Sequence, residues 1–344
     1  MRAYLVEAPG VHRLVEVPPP HPGPGEVLVR PAAVGLCGSD LEVRDGRRPS
    51  AYVRYPVIPG HEWAGHVVAL GAGVTGVECG TPVVAEGVRA CGVCARCAEG
   101  RNNLCTGPYA ETGFTHPGAL AAELVVPAVL LHPLPADRPL TAAAALIEPA
   151  ACVATGVLEV GRPAAGSRVA VVGDGPIGLL AVSLLRLSSP GELLLVGSRE
   201  ARSALGGRLG ATEVVHRSDP GLAGGSASAG RFDLVLEATN SGDGAATALR
   251  LARRGGTVVT LGISGAGVPA IDPDVICLGQ LRVQGVFASS RAAWRWVVSL
   301  HAAGLFPPME LITHRFPLER VEDAFEVLRD RAAGAVKVVV EPGS

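Results

Sequence analysis

The chain has 344 residues, room for two domains at about 150 residues each, and 48% of them are hydrophobic, enough for two cores. A net charge of −2 leaves no basic face for nucleic acid and no acidic tail. The N-terminus lacks a signal peptide's apolar core and no run approaches about 18 uninterrupted apolar residues, so the expectation is a soluble, cytoplasmic protein with no membrane partner. Eight cysteines in that setting point to metal or free thiols rather than disulfides.

The first 35 residues alternate short β-like runs (3–6, 13–17, 26–30) with a turn-rich connector from Pro18 to Pro24. The pattern continues through 64–70 and 82–85. It predicts an antiparallel, β-rich domain with irregular loops.

Inside this region stand Cys37-Gly-Ser-Asp40 and Gly60-His-Glu62. Thiolate, imidazole and carboxylate together suit zinc, and a catalytic zinc takes three protein ligands and keeps one position open. Cys37 and His61 supply two ligands; the third is Glu62 or Glu148, the latter in Ile147-Glu-Pro149. Asp40 is placed to steady a ligating histidine from behind. Next come Cys91, Cys94, Cys97 and Cys105 on a Gly-rich loop, a set that closes a tetrahedral four-thiolate zinc site. The first three spacings also match an iron–sulfur run, but the fourth is too long and no Pro follows Cys105 directly, so one structural zinc is favoured. Cys79, Cys152 and Cys277 fall in neither group.

From Arg168 the chain alternates strands (168–172, 192–196, 213–216, 232–237, 256–262, 282–287) with helical stretches, the signature of a doubly wound parallel sheet. The first strand runs into Gly173-Asp-Gly-Pro-Ile-Gly178 and then a helical pattern. Gly173 makes the turn, Gly175 admits a pyrophosphate to the backbone, and Gly178 lets helix and strand close up; Pro176 and Ile177 open the helix whose N-terminus receives the phosphates. An NAD site carries an acid about 20 residues further on, to hold the ribose 2′-OH. Here Gly197, Ser198 and Arg199 stand there instead, leaving room, a hydroxyl and a guanidinium for a 2′-phosphate, with Arg217 as a second phosphate ligand. NADP(H) is therefore preferred over NAD(H). Residues 217–231 read as an exposed Gly/Ser-rich loop, 292–302 as a helix, 316–328 as a turn then a helix, and 336–340 as a closing strand.

In order, Cys37-Gly-Ser-Asp, Gly60-His-Glu, the four-cysteine lobe, Glu148-Pro and the glycine turn resemble the medium-chain zinc-dependent alcohol and polyol dehydrogenases over essentially the whole chain. Gly60-His-Glu with Glu148-Pro looks like the sorbitol and threonine dehydrogenase branch, and Gly197-Ser-Arg199 like the NADP-dependent secondary alcohol dehydrogenases. Residues 55–63 and Glu111-Thr-Gly-Phe-Thr115 are similar to aminocyclitol dehydrogenases. The resemblance implies a GroES-like catalytic domain from residues 1–150 and 290–344, a Rossmann domain inserted at 151–289, two zinc ions per chain, and a homodimer or homotetramer. It implies hydride transfer between NADP(H) and a secondary alcohol or ketone, a polyol, sugar or (amino)cyclitol, with zinc acting as a Lewis acid. Ser39 matches the family's proton-passing hydroxyl. Many relatives place a histidine five residues after the zinc cysteine; here Glu42 stands there, for proton relay or for polar groups of the substrate. Glu62 is counted both as a ligand and as a catalytic group, and Trp63, Phe114 and Phe287 are candidate pocket walls. Two readings compete: a metal-free quinone or enoyl reductase, which would lack the zinc cysteine, its histidine and the lobe, and a non-catalytic dinucleotide sensor, which would not need them.

Overall fold

A computed structural model describes residues 1–222, 230–263 and 271–343, and the chain divides there into two units, Met1–Glu148 with Ser290–Ser344, and Pro149–Ser289. The first unit opens with β1 (Arg2–Ala8), β2 (Val11–Glu16) and β3 (Glu26–Gly35). It continues through helix α1 (Gly38–Asp45), β4 (Glu62–Leu70), β5 (Pro82–Ala85), the short α2 (Ala95–Ala98), β6 (Leu124–Pro127) and β7 (Leu131–Pro133). Helix α3 (Ile147–Val160) leads to the second unit: β8 (Arg168–Val172), α4 (Pro176–Leu185), β9 (Glu192–Gly197), α5 (Glu200–Arg208), β10 (Glu213–His216), β11 (Phe232–Glu237), α6 (Gly242–Leu251), β12 (Ala252–Thr260), α7 (Pro273–Gly279) and β13 (Arg282–Gly285). The chain closes the first unit with α8 (Arg291–Ala302), β14 (Ile312–Pro317), α9 (Val321–Arg329) and β15 (Lys337–Glu341).

In the first unit, β1 and β2 form a hairpin, and a larger sheet runs β14-β15-β3-β4-β5-β7 with β6 beside β3. Its ladders are antiparallel except β14 with β15. Alternating apolar residues of these strands close one core, in which Tyr4, Trp63, Phe114 and Phe325 are buried among valines and leucines. The second unit is a parallel sheet in the order β10-β9-β8-β11-β12-β13, which reverses between β8 and β11. The Val and Leu runs of β8 and β9 are buried on both faces, as strands covered on two sides must be, whereas β10 and β13 form the more exposed edges. The order places the crevice for a ligand at the carboxyl ends of β8 and β11.

Several boundaries differ from the sequence expectation. Strand β12 begins at Ala252, with a register shift against β11, instead of at 256. Strand β13 stops at Gly285, and Ala288 takes a left-handed φ of 50°. Phe316 lies in β14 and not in a turn, because Ile312–Pro317 alternates inward and outward as an edge strand. Pro220–Leu222 forms a short 3-10 turn; residues 223–229 of the expected Gly/Ser-rich loop lie outside the described residues. Ala142–Val160 is long and apolar enough by composition to cross a membrane, but 78% of its apolar window is buried inside the fold.

Candidate metal centres and cofactor turn

Cys37 ends the turn after β3 as the N-cap of α1, and Asp40, three residues on, accepts the Cys37 N–H at 2.9 Å. The same fully buried carboxylate accepts the Gly60 N–H at 3.2 Å and lies 3.3 Å from Nδ1 of His61. Asp40 thus ties two distant chain segments together. Nδ1 of His61 faces Asp40, and Nε2 lies toward Glu62, 4.0 Å from its Oε1. The ligand atoms of Cys37, His61 and Glu62 lie within 4.8 Å of one another. Burial alone would pull the His61 pKa down, but the Asp40 carboxylate outweighs it and raises it well above the usual value. Burial opposes ionisation of Asp40 too, but the His61 charge and the three hydrogen bonds keep its pKa below the ordinary range.

Glu62 begins β4 opposite Gly35 of β3. Lys337, the chain's single lysine, reaches it from β15: Nζ is 2.5 Å from Oε2 of Glu62 and 3.2 Å from the carbonyl of Leu36. Glu148 is buried beside this group, and burial, with Glu62 and Glu111 pushing the same way, raises it to about 8. Cys37, Asp40, Glu62, Glu111 and Glu148 therefore gather around His61 and Lys337, an excess of buried acid. Such a set lowers its electrostatic cost by binding a cation, and its thiol, imidazole and carboxylates suit zinc.

Ser39 and Glu42 ride on α1, half-buried, and Oε2 of Glu42 is 3.9 Å from Nη1 of Arg48. Of the aromatic candidates, Phe114 is buried with its ring 4.6 Å from that of His61. Trp63 is buried in the core of the first unit, and Phe287 is 40% exposed in the second.

In the lobe, the four sulfurs of Cys91, Cys94, Cys97 and Cys105 lie within 4.8 Å of one another. Backbone N–H groups point at them: Cys91 and Gly107 donate to Sγ of Cys105 at 3.3 and 3.4 Å. The Thr106 N–H leads the hydrogen bonds that pull the Cys94 thiol down to about 5. These donors favour a thiolate at Cys94, whereas desolvation and the neighbouring sulfurs push Cys97 up to about 12; four sulfurs gathered this closely fit a divalent soft cation. The lobe is fastened by Asn102, whose Nδ2 donates to buried Glu86 at 2.7 Å and whose Oδ1 accepts the Arg291 N–H at 3.0 Å. Glu86 also accepts from Nε of Arg291 at 2.8 Å and lies 3.1 Å from Nε2 of His132.

The second unit carries the glycine turn at the reversal of the sheet. Gly173 has φ 118°, and a Cβ on Gly178 would stand 1.8 Å from the Gly173 carbonyl, so the helix packs there only with glycine. Gly175 caps α4 without a side-chain acceptor and Pro176 takes the first helical turn, leaving N–H groups of the helix start for a phosphate; Ile177 follows on the same turn. At the end of β9, the Asp174 carboxylate accepts the N–H groups of Ser198 and Arg199 at 2.8 and 2.7 Å. Gly197 is crowded by Ser203 and Asp174, Arg199 caps α5, and Arg217 is exposed, its N–H donating to the Gly197 carbonyl at 2.7 Å.

Comparison with known proteins matches residues 23–136 to the alcohol dehydrogenase GroES-like domain and 176–303 to the zinc-binding dehydrogenase domain. L-Threonine 3-dehydrogenase of Saccharopolyspora erythraea is 32% identical over 336 residues, 96% of this chain and 95% of that protein. The chain belongs to the medium-chain zinc-binding dehydrogenases. Among solved members, a zinc-binding dehydrogenase of Sinorhizobium meliloti 1021 bound to NADP superposes with a TM-score of 0.90 at 32% identity, over 99% of both chains. A short chain alcohol dehydrogenase of Escherichia coli CFT073 complexed with NADH gives 0.89 at 26%, again over 99% of both.

In this zinc-binding dehydrogenase, sequence reading passed over Lys337, Arg48, Tyr109 and Glu111 as site residues. Lys337 carried a signal: a lone lysine among arginines, in an apolar closing strand, needs a buried acid as partner. Arg48 and Tyr109 carried none, since only folding brings them to Phe114 and Glu111.

Proposed function

We propose that this protein is a zinc- and NADP(H)-dependent dehydrogenase of a secondary alcohol that carries neighbouring polar groups, a polyol, sugar or (amino)cyclitol. The observation that carries the reading is Asp40: one buried carboxylate orders Cys37 and His61 as a donor pair amid excess acid. Cys37, His61 and one of Glu62 and Glu148 hold the catalytic zinc. Lys337 pairs with Glu62, and burial raises the neighbouring Glu148 to about 8 against the pull of His61 and Lys337. When bound, zinc supplies a Lewis acid that lowers the pKa of the substrate hydroxyl. Cys91, Cys94, Cys97 and Cys105 hold a structural zinc.

Ser39, at the start of α1, receives the hydroxyl proton, and Glu42, one helical turn on, passes it outward or binds a polar substrate group. Gly173, Gly175, Pro176, Ile177 and Gly178 seat the pyrophosphate, and Gly197, Ser198, Arg199 and Arg217 receive the 2′-phosphate. The nicotinamide supplies the hydride chemistry, and the protein supplies placement. Edge strand β13, with Val283 43% exposed, offers a surface for a homodimer or homotetramer. The test is turnover of a polyol panel with NADP+ and NAD+, paired with metal analysis. Turnover without zinc, or no turnover with any secondary alcohol, overturns the proposal. Unchanged turnover and unchanged substrate preference in Glu42→Gln remove Glu42 from it.

A further inference from the structure

One cluster beside His61 is unused by this chemistry. The turn from Tyr109 to His116 lies directly on the backbone of Gly60 and His61. A Cβ on Gly113 would stand 3.0 Å from the Gly60 carbonyl carbon and 3.1 Å from the His61 nitrogen. Phe114, on this turn, packs at a tilt of 39° against His61, and the Arg48 guanidinium sits 3.8 Å from the centre of the Phe114 ring. Arg48 is itself fixed, donating to the Tyr52 carbonyl at 3.0 Å and to the Tyr109 hydroxyl at 3.3 Å. Tyr109 packs edge-on against Tyr52 and donates to Oε2 of Glu111.

Glu111 is therefore held by one oxygen only. Glu111 is 7% exposed, and among the described residues its Oε1 accepts no hydrogen bond. That oxygen lies where a Cβ on Gly87 would come within 3.0 Å, so the glycine leaves it room. His61 and Arg48 offset part of the cost of burying this carboxylate, and a donor reaching Oε1 would offset more of it.

We propose that Glu111 is a specificity-determining residue: Oε1 accepts a hydrogen bond from a hydroxyl or ammonium on the carbon next to the one that is oxidised. Tyr109, braced by Arg48 and Tyr52, is a positioning residue that aims the carboxylate. This rests on the dehydrogenase reading above, and it narrows the substrate to 1,2-diols and 1,2-amino alcohols.

The test uses the zinc-loaded, full-length protein with NADP+ and three probes: cyclohexanol, trans-cyclohexane-1,2-diol and trans-2-aminocyclohexanol. Wild type favours a vicinal probe over cyclohexanol. In Glu111→Ala, kcat/KM for that probe falls about ten- to a hundredfold more than for cyclohexanol, the worth of a hydrogen bond to a charged group. Glu111→Gln keeps an acceptor oxygen and loses the charge: retained preference identifies the hydroxyl, lost preference the ammonium. Tyr109→Phe lowers the ratio about threefold with zinc content intact, which covers the case of an unfolded Glu111 variant. Equal losses on all three probes, or an unchanged ratio in both Glu111→Ala and Tyr109→Phe, overturn the proposal. If wild type oxidises none of them, it is the dehydrogenase reading that fails. Calorimetric titration with the diol and cyclohexanol then decides Glu111 alone, since selective diol binding must disappear in Glu111→Ala.

Discussion

Asp40→Asn changes one buried atom type and leaves shape intact. In the wild type the carboxylate accepts from the Cys37 N–H at 2.9 Å and the Gly60 N–H at 3.2 Å, and it faces Nδ1 of His61 at 3.3 Å. Asparagine offers one oxygen and turns an NH2 group toward at least one of these donors. A donor left unpaired in the interior costs about 1–3 kcal/mol. His61 also loses the anion that fixes its ring, and losing such a partner weakens metal binding about 10–100-fold, or about 1.4–2.7 kcal/mol. Two zinc sites per chain are expected, so one of two bound equivalents becomes easy to remove in the variant. The assay is zinc release to a chromophoric chelator, followed with Tm. A variant that holds both equivalents as tightly as wild type, at an unchanged Tm, refutes the idea that Asp40 orders the Cys37–His61 pair.

Cys94→Ser removes one sulfur of the lobe; one zinc equivalent is lost and Tm falls by more than about 5 °C, since 1 kcal/mol is worth about 2–4 °C in a domain of this size. Unchanged zinc content and melting would rule out the structural site. Arg199→Asp withdraws a phosphate fork and adds the missing acid, so the kcat/KM ratio shifts toward NAD+ by about tenfold or more; no shift rejects the NADP(H) preference. Glu86→Ala strands the donors of Asn102 and His132, with Arg291 able to turn to water, and lowers stability by about 2–5 kcal/mol in thermal or urea unfolding. Stability within about 0.5 kcal/mol of wild type shows that this carboxylate does not fasten the lobe.

Most of the framework was readable because it is written in short-range signals. The run 168–178 states strand, turn and helix locally, and Gly178 meets the Gly173 carbonyl as its motif requires. The four cysteines share one loop, so their convergence needed no long-range contact to be foreseen. Edge strands were less legible: β14 is half polar and takes its identity from pairing with β15, so its first four residues went unread and its end at Phe316 passed for a turn. The surroundings of His61 were the least legible. Asp40, Glu62, Glu148 and Lys337 come from α1, β4, the start of α3 and β15, and no spacing in the chain announces that Lys337 would lie 2.5 Å from Glu62. Glu111 was visible only as part of a resemblance; its half-filled carboxylate is a tertiary fact.

The most direct test of the account is zinc stoichiometry in the purified, active protein, measured on wild type and on His61→Ala in parallel. The account predicts two equivalents in the wild type and one in the variant, the lobe keeping its ion while turnover of the secondary alcohol is lost. Turnover sustained by protein with at most the lobe's single equivalent, or two equivalents retained in His61→Ala, would contradict it.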